Sequence, residues 1–298
     1  WNTSITLSHN KNSVKKLTGE DVQLWEANFG YSQNTHIIGV NQPLGQMYGY
    51  VTDGLYQVSD FDYDAATKTY TLKDGVPYAG EKGNVKPGMW KFKNIDGSKD
   101  NKITEADKTV IGNAYPKIYG GINNTFTYKD FDLSIFLTYS IGNDVFNATK
   151  LTNTKTALQN KNVLAVADSK HRWVLVNKAG DLITDPQEMA DINKGKTVAA
   201  IYDNEAGDTY IHSWAVEDGS FLKLSNITLG YTFPKKMIRK VGLSKLRLYA
   251  TGSNLLTWTK YSGFDPEVST MGNGLTPGVD FGAYPRSRAF VFGINLAF

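Results

Sequence analysis

Hydrophobic and polar residues alternate along several stretches of this chain, which is typical of β-strands with two different faces. In the final stretch every second residue is apolar, at Phe290, Phe292, Ile294, Leu296 and Phe298. The residues between them are small or polar. Such a face on a soluble edge strand would invite aggregation, whereas a strand embedded in a lipid bilayer requires it. The pattern therefore predicts strands that turn one face to lipid.

Six segments share this alternation, and the sequence predicts a strand in each: residues 1–10, 117–128, 131–141, 221–233, 245–258 and 286–298. These strands are longer than the roughly five or six residues usual in globular proteins, and they suit a tilted membrane crossing. Only Lys129 and Asp130 separate the second and third segments, which predicts a tight hairpin. The predicted fold class is all-β, a portion of a large antiparallel transmembrane β-barrel.

The connections between these strands are very unequal in length. We call residues 11–116, 142–219 and 260–284 the first, second and third excursions. Outer-membrane barrels have short periplasmic turns and long outer loops, so the excursions are predicted to be extracellular and the short turns periplasmic. Within the second excursion, residues 160–174 are predicted to form a helix.

Composition narrows the possible functions. The 298 residues carry a net charge of +3 without a long basic run, which argues against nucleic acid as a partner. Without cysteine, thiolate metal sites, disulfides and cysteine nucleophiles are excluded. The sequence contains no run of eighteen apolar residues, so it predicts no transmembrane helix. Because the chain opens on Trp1 and shows no signal peptide, we expect it to be a piece of a longer polypeptide.

One loop has the composition of a calcium site. Oxygen-bearing side chains occupy loop positions 1, 3, 5, 9 and 12, and the predicted ligand set is Asp96, Ser98, Asp100, Lys102, Thr104 and Asp107. Ile103 at position 8 is expected to anchor the loop by packing. Asn101 replaces the usual glycine, although asparagine tolerates the left-handed conformation, and Lys99 adds an opposing charge. The alternative is a solvated turn without a metal.

Signals for catalysis are weak. The four histidines, His9, His36, His171 and His212, are scattered, and none pairs at metal-ligand spacing. No nucleophile elbow, zinc-protease motif or phosphate-binding loop occurs. A glycosidase pair could be chosen from Asp203, Glu205, Asp208, Glu217 and Asp218, but any chain with 29 acidic residues allows such a choice. The sequence therefore predicts no enzyme.

Two further groups of side chains have alternative interpretations. Aromatic residues of the excursions could stack on sugar rings, namely Trp90, Trp173, Tyr202, Tyr210 and Trp214. Packing of the excursions against one another is the favoured alternative. The short turn near residues 235–240 carries Lys235, Lys236, Arg239 and Lys240. This cluster could contact anionic lipid head groups, or it could be a solvated turn, which is the favoured alternative.

A series of longer stretches is recognisable together and in order: Gln42–Gly45, Tyr48–Tyr50, Asp53–Gly54, Lys91–Asp96, Asp107–Asn113, Pro116–Lys117, Gly120–Phe126, Phe131–Phe136, Gly142–Asp144, Leu222–Tyr231, Leu246–Tyr249, Asn254–Glu267 and Tyr284–Arg286. They resemble the SusC/RagA family of TonB-linked outer-membrane transporters over nearly the whole chain. The resemblance implies the C-terminal part of a barrel of about 22 strands with a plugged lumen. It places the plug domain and the TonB-contacting segment outside this chain.

The resemblance also implies a function. A SusC-type protein would import an oligosaccharide, or a peptide, across the outer membrane of a Gram-negative bacterium. A SusD-like surface lipoprotein would help to capture the ligand, TonB would supply energy, and outer-membrane lipid would surround the barrel wall. The calcium-like loop matches the family pattern except for its missing glycine. The alternative from another class is a secreted calcium-binding adhesin or carbohydrate-binding β-protein, and a glycoside hydrolase is a weaker one.

Overall fold

A computed structural model describes residues 1–27, 34–154, 162–202, 210–270 and 273–298. Strands dominate these ranges: β1 (Asn2–Ser8), β2 (Val22–Glu26), β3 (Asn34–Gly39), β4 (Gln46–Tyr50), β5 (Thr52–Leu55), β6 (Phe61–Asp64), β7 (Thr69–Leu72), β8 (Tyr78–Ala79), β9 (Trp90–Phe92), β10 (Lys102–Ile103), β11 (Lys108–Asn113), β12 (Ile118–Tyr128), β13 (Phe131–Ile141), β14 (Asp144–Asn147), β15 (Val216–Asp218), β16 (Phe221–Thr232), β17 (Lys245–Thr259), β18 (Val279–Asp280) and β19 (Ala289–Ala297).

Helices are few and short among the described residues. The α-helices are α1 (Ala148–Asn153), α2 (Pro186–Asn193) and α3 (Lys235–Ile238). Turns of 3-10 helix occupy Val58–Asp60, Lys82–Asn84, Glu105–Asp107, Ala165–Ala167, Ser213–Ala215 and Arg239–Val241. In the part of the chain that is described, none of the helices has the length and apolar character needed to span a membrane.

The long strands form one antiparallel sheet in the order β1-β12-β13-β16-β17-β19. They coincide with the six segments that alternate in sequence, although β17 extends one residue beyond 245–258 and β19 covers nine residues, fewer than the thirteen of 286–298. Strands β1 and β19 are its two edges, so the sheet is open and the barrel is not closed in this chain. The all-β fold class predicted from the alternation is confirmed.

Register gives this sheet one continuous apolar face. Phe292 pairs with Ala250, which pairs with Leu229, which pairs with Leu133, which pairs with Phe126. This apolar row crosses five strands, and Phe292 at its edge is 81% exposed. Exposed apolar side chains in register across strands are what a lipid-facing barrel wall requires.

The turn between β12 and β13 has the two residues expected. Lys129 adopts φ +54°, a left-handed conformation that tight hairpin turns use. Beside the turn, the rings of Phe131 and Tyr231 lie 4.7 Å apart, and Tyr231 contacts Phe233 at 4.9 Å. Aromatic rings thus gather at this end of the sheet, as they do at the interfaces of membrane barrels.

The excursions fold into compact structure of their own, which the sequence pattern did not show. Strands β11, β4, β3 and β2 form a four-stranded sheet in the first excursion. A smaller sheet in the order β15-β14-β18 joins the second excursion to the third. Their strands have two to six residues, too few for an alternation to be recognised. Buried apolar clusters lie beneath them.

The helix predicted for residues 160–174 is wrong for the part that can be checked. Residues 160 and 161 lie outside the described ranges, and 162–174 contain only the 3-10 turn Ala165–Ala167. Arg172 instead forms a β-bridge with Val198, which holds this stretch extended. The longer of the two α-helices described in this excursion is α2, where Asp185 caps the N-terminus and Pro186 occupies the first position, a start signal readable in sequence.

Candidate functional site

The five aromatic residues predicted to bind a ligand lie around one buried cluster. Trp90 and Trp173 belong to its core, and Trp173 is only 2% exposed. Tyr202, Tyr210 and Trp214 are partly buried and pack against that core. We call these five residues, with Tyr50, Phe92 and His212, the aromatic cluster.

Contacts inside the aromatic cluster are ring to ring. The Trp90 ring lies 4.8 Å from both His212 and Trp214, and Tyr210 lies 5.0 Å from Tyr50. A β-bridge between Tyr50 and His212 runs beside them. The rings therefore cover one another and join the first excursion to the second. Stacking on a ligand stays a prediction for these residues, and packing between excursions is what the structure displays.

Burial sets the ionisation of the cluster's phenols. It raises the pKa of Tyr50, and the neighbouring Glu105 raises it further by charge and by a 3.2 Å hydrogen bond from the Tyr50 hydroxyl. Burial raises the pKa of Tyr210 in the same way. Both tyrosines are neutral hydrogen-bonding groups at ordinary pH.

The predicted calcium loop is closed by its last residue. Asp107 is fully buried, and its Oδ1 accepts hydrogen bonds from the backbone N–H of Ile95 at 2.7 Å and of Asp96 at 3.2 Å. Its Oδ2 accepts from the N–H of Thr104 at 2.8 Å. One carboxylate thus joins the beginning of the loop to its end, and three backbone donors are satisfied.

The remaining loop residues adopt the conformations that the sequence pattern predicted. Asn101 has φ +56°, the left-handed conformation expected at the sixth position. Ile103 is buried in the core beside the aromatic cluster, so the expected anchoring contact exists. Strand β10 (Lys102–Ile103) pairs in parallel with β8, and Thr104 caps the turn that follows.

The loop's exposed carboxylates bond to the loop itself. Asp96 accepts from the N–H of Ser98 at 2.7 Å, and Asp100 accepts from the N–H of Lys102 at 3.1 Å. The bond from the Lys102 N–H, together with one from the Ser98 side chain, holds the pKa of Asp100 below its usual value. Among the described residues, no three histidine, aspartate or glutamate side chains form a metal-ligand group. Apart from Lys102, whose side chain is a cation, the predicted ligands carry side-chain oxygens of the kind that hard cations prefer, and calcium binding stays a prediction.

The polar face of the long-stranded sheet carries an ion pair that the sequence did not single out. Arg247 on β17 binds Asp132 on β13 through two contacts, Nη2 to Oδ2 at 2.6 Å and Nε to Oδ1 at 3.0 Å. The pair passes over Gly230 on the intervening strand β16. A methyl group at residue 230 would collide with Arg247 Nη2 and with Asp132 Oδ1. Only glycine leaves room for this bridge.

A second ionic group fastens the third excursion to the sheet. The buried Lys223 of β16 lies 2.7 Å from Glu267 Oε2 and 3.6 Å from Asp265 Oδ2. Arg286 lies 2.9 Å from Asp265 and 3.3 Å from Glu267. Two cations thus balance two carboxylates, so that neither the buried Lys223 nor the buried Asp265 is left without an opposite charge. We call these four residues the charge clamp.

A third ionic pair lies within the second excursion, and its carboxylate also bonds to the third. Glu217 pairs with Lys150 at 3.1 Å and accepts from the N–H of Ser262 at 2.8 Å. Burial alone would raise the pKa of Glu217, but these hydrogen bonds and the lysine hold it below its usual value. Asp218 accepts from the N–H of Ser220 at 2.9 Å. The other carboxylates considered for a glycosidase pair, Asp203, Glu205 and Asp208, lie outside the described residues.

Sequence reasoning missed these ionic contacts although a signal existed. Asp132, Lys223 and Arg247 are charged residues inside long strands, and such positions are unusual for ions unless they are paired. What the sequence could not supply was the partner, since 115 residues separate Asp132 from Arg247.

Comparison with known proteins finds relatives over the whole chain. No protein-family model matches it. It is 30% identical over 305 residues to TonB-dependent receptor P3 of Formosa agariphila, and 26% identical over 302 residues to TonB-dependent receptor SusC of Bacteroides thetaiotaomicron. The alignments cover 100% of this chain but 27% and 24% of those proteins. The chain therefore spans about a quarter of the length of its curated relatives.

Solved structures give the same fold. The RagAB peptide transporter matches with a TM-score of 0.63 at 21% identity, covering 99% of this chain and 27% of the other. The same importer in its open-open state matches with a TM-score of 0.64. The alternative of a secreted adhesin is wrong, because both the exposed apolar face and this homology indicate a membrane barrel. Along its entire length the chain is thus homologous to TonB-dependent receptors, SusC among them, and it forms part of a β-barrel of the outer membrane.

Proposed function

We propose that this chain forms part of the wall and the outer structure of a TonB-energised nutrient importer. The observation that carries the proposal is the long-stranded sheet, which exposes an apolar face and places the Asp132–Arg247 pair on the other. A sheet of this kind separates lipid from a polar lumen. In this proposal the chain catalyses no covalent chemistry.

The folded excursions would form a rigid structure at one end of this wall. The aromatic cluster joins the first two excursions, and the charge clamp fastens the third to β16. Rigid outer structure is useful to an importer because a bulky nutrient must be held by surfaces whose positions are already fixed. We propose that a SusD-like lipoprotein docks on this outer structure.

The proposed cargo is an oligosaccharide, with a peptide as the alternative. The relative named TonB-dependent receptor SusC supports a TonB-energised importer, and one structural neighbour is named a peptide transporter. At 21% identity that neighbour supports the fold rather than the cargo.

The test is uptake by cells that make the full-length receptor. Cells with the intact receptor should take up fluorescently labelled members of one class, oligosaccharide or peptide. Deleting the receptor, the neighbouring lipoprotein or TonB should each abolish that uptake. Uptake that persists after TonB is deleted would contradict the proposal, and so would a receptor deletion that affects neither class.

We also propose that the loop Asp96–Asp107 binds calcium for structure. The predicted ligands would be Asp96, Ser98, Asp100, Lys102, Thr104 and Asp107, and the ion would order a loop whose entropic cost is otherwise large. The support is the left-handed Asn101 and the closure by Asp107. Proteolysis within residues 94–112 of the full-length receptor should increase on chelation and in Asp100→Ala. If both treatments leave cleavage unchanged, the loop is a metal-free turn.

A further inference from the structure

We infer that the turn between β16 and β17 is a docking surface for anionic phospholipid head groups. The segment 234–245 runs from this turn to the first residue of β17, and it contains α3 (Lys235–Ile238) and the 3-10 turn Arg239–Val241. We call it the basic turn. The inference presupposes only that the chain lies in the outer membrane, and it is independent of what the receptor imports.

Charge at this end of the sheet is strongly one-sided. Six exposed cations lie in the basic turn and the neighbouring hairpin: Lys129, Lys235, Lys236, Arg239, Lys240 and Lys245. The acidic residue beside them is Asp130. None of the six cations forms an ion pair with any residue that the structure describes. Unneutralised cations at a membrane boundary attract anionic lipids.

The basic turn also exposes apolar side chains next to its charges. Met237 is 60% exposed and Val241 is 71% exposed, while Ile238 between them is buried. These two apolar side chains are thus exposed within the same short turn as the exposed cations Lys236 and Lys240. An apolar pair flanked by cations is the arrangement by which short helices rest at the head-group boundary.

The position of the basic turn supports the same partner. It follows directly after Tyr231 and Phe233, whose rings pack together at the end of the apolar face. Such aromatic rings mark the level of the head groups. The basic turn therefore continues the lipid-facing surface just beyond that level. In outer-membrane barrels the short turns face the periplasm, so the phospholipids would belong to the inner leaflet.

The experiment uses the full-length receptor that contains this chain. The detergent-purified receptor is mixed with equal amounts of phosphatidylglycerol and phosphatidylethanolamine, and native mass spectrometry counts the lipids that each molecule retains. The wild type should retain phosphatidylglycerol preferentially. Replacing Lys235, Lys236, Arg239 and Lys240 together by Gln should reduce that preference by at least about tenfold.

A matched control removes the same number of charges elsewhere. The exposed residues Lys15, Lys16, Lys178 and Lys194 of the excursions are replaced together by Gln. This variant should keep the wild-type lipid preference. The inference is overturned if the wild type binds both lipids equally, if the basic-turn variant keeps the preference, or if the control loses as much.

A second measurement needs no mutation and so does not depend on whether the variant folds. The wild-type receptor is placed in nanodiscs of phosphatidylcholine, with or without phosphatidylglycerol, and its thermal unfolding is followed at low and high salt. Phosphatidylglycerol should raise the unfolding temperature at low salt, and high salt should remove the gain because it screens exposed charges. Equal unfolding temperatures in both lipid mixtures at low salt would overturn the inference. Failure of nutrient uptake would not affect this result.

Discussion

Arg247 and Asp132 meet across an intervening strand, with Arg247 Nη2 lying 2.6 Å from Asp132 Oδ2 directly above Gly230. Both side chains stand on the polar face of the sheet and are partly shielded from solvent. The pair ties three consecutive strands together where the backbone hydrogen bonds alone link only neighbours. Its geometry makes the glycine as important as the two charges.

We predict that Gly230→Ala and Asp132→Asn each destabilise the full-length receptor by about 1.5–3 kcal/mol, the value of a hydrogen bond to a charged group. Because both changes remove one contact, the double variant should lose no more than the larger single loss. Heat-dependent electrophoretic mobility of the folded barrel measures this. Gly83→Ala is the control, since a methyl group there meets nothing within 4 Å. Additive losses would contradict the shared contact.

The two faces of β13 should respond oppositely to the same substitution. Ile135 lies on the apolar face, where it pairs with Ile227, and Ser134 lies on the polar face. Ile135→Arg should cost about 2–4 kcal/mol near the middle of the bilayer, and Ser134→Arg should cost much less. The measurement is the yield of folded receptor in isolated outer membranes. Equal yields of the two variants would mean that the face assignment is wrong.

The sequence was sufficient for the long strands and insufficient for the excursions, for a physical reason. Strands of nine to fifteen residues, such as β17 and β19, repeat their alternation often enough to be recognised. Strands such as β8 and β10 have two residues each, and their pairing depends on partners far along the chain. No local pattern contains that information.

In the candidate site too, the sequence predicted the local features and did not predict the contacts between distant residues. The left-handed Asn101 and the buried Ile103 follow from positions within one loop, so the sequence predicted both. The partners of Lys223 lie 42 and 44 residues further along the chain, in the third excursion. They reach Lys223 only when the third excursion folds against β16. The five aromatic residues lie in one cluster, but their burial depends on how the excursions pack, and their binding of a ligand stays a prediction.

The charge clamp should depend far more on Lys223 than on Arg286. The Lys223 side chain is 4% exposed and that of Arg286 is 51% exposed. Lys223→Met would leave Asp265 and Glu267 without their buried cation, which typically costs about 3–5 kcal/mol. Arg286→Met removes an exposed partner worth about 0–1 kcal/mol. Hydrogen exchange of residues 263–269 should rise strongly in the first variant and slightly in the second. Similar exchange in both would show that burial does not set the clamp's strength.

His36 should make the contact between the first and third excursions sensitive to acid. Its Nε2 donates to the carbonyl of Pro277 at 3.0 Å, and its Nδ1 lies 2.9 Å from Thr35 Oγ1. Burial lowers the pKa of His36 from 6.5 to about 4, an effect that the hydrogen bond to Pro277 partly offsets. The folded form therefore holds a neutral ring, while the unfolded form takes up a proton below about pH 6.5.

Since the folded pKa lies below the unfolded one, the stabilisation is complete above about pH 6.5 and declines as the pH falls toward 4, by roughly 3 kcal/mol in total. Hydrogen exchange of residues 34–39 and 273–280, corrected for its intrinsic pH dependence, should show this loss between about pH 7 and about pH 5. His36→Gln keeps a donor for Pro277 without a titrating group and should remove the added pH dependence. His171→Gln, at an exposed histidine paired with Asp168, should retain it. A pH response that survives in His36→Gln would assign the effect to another group.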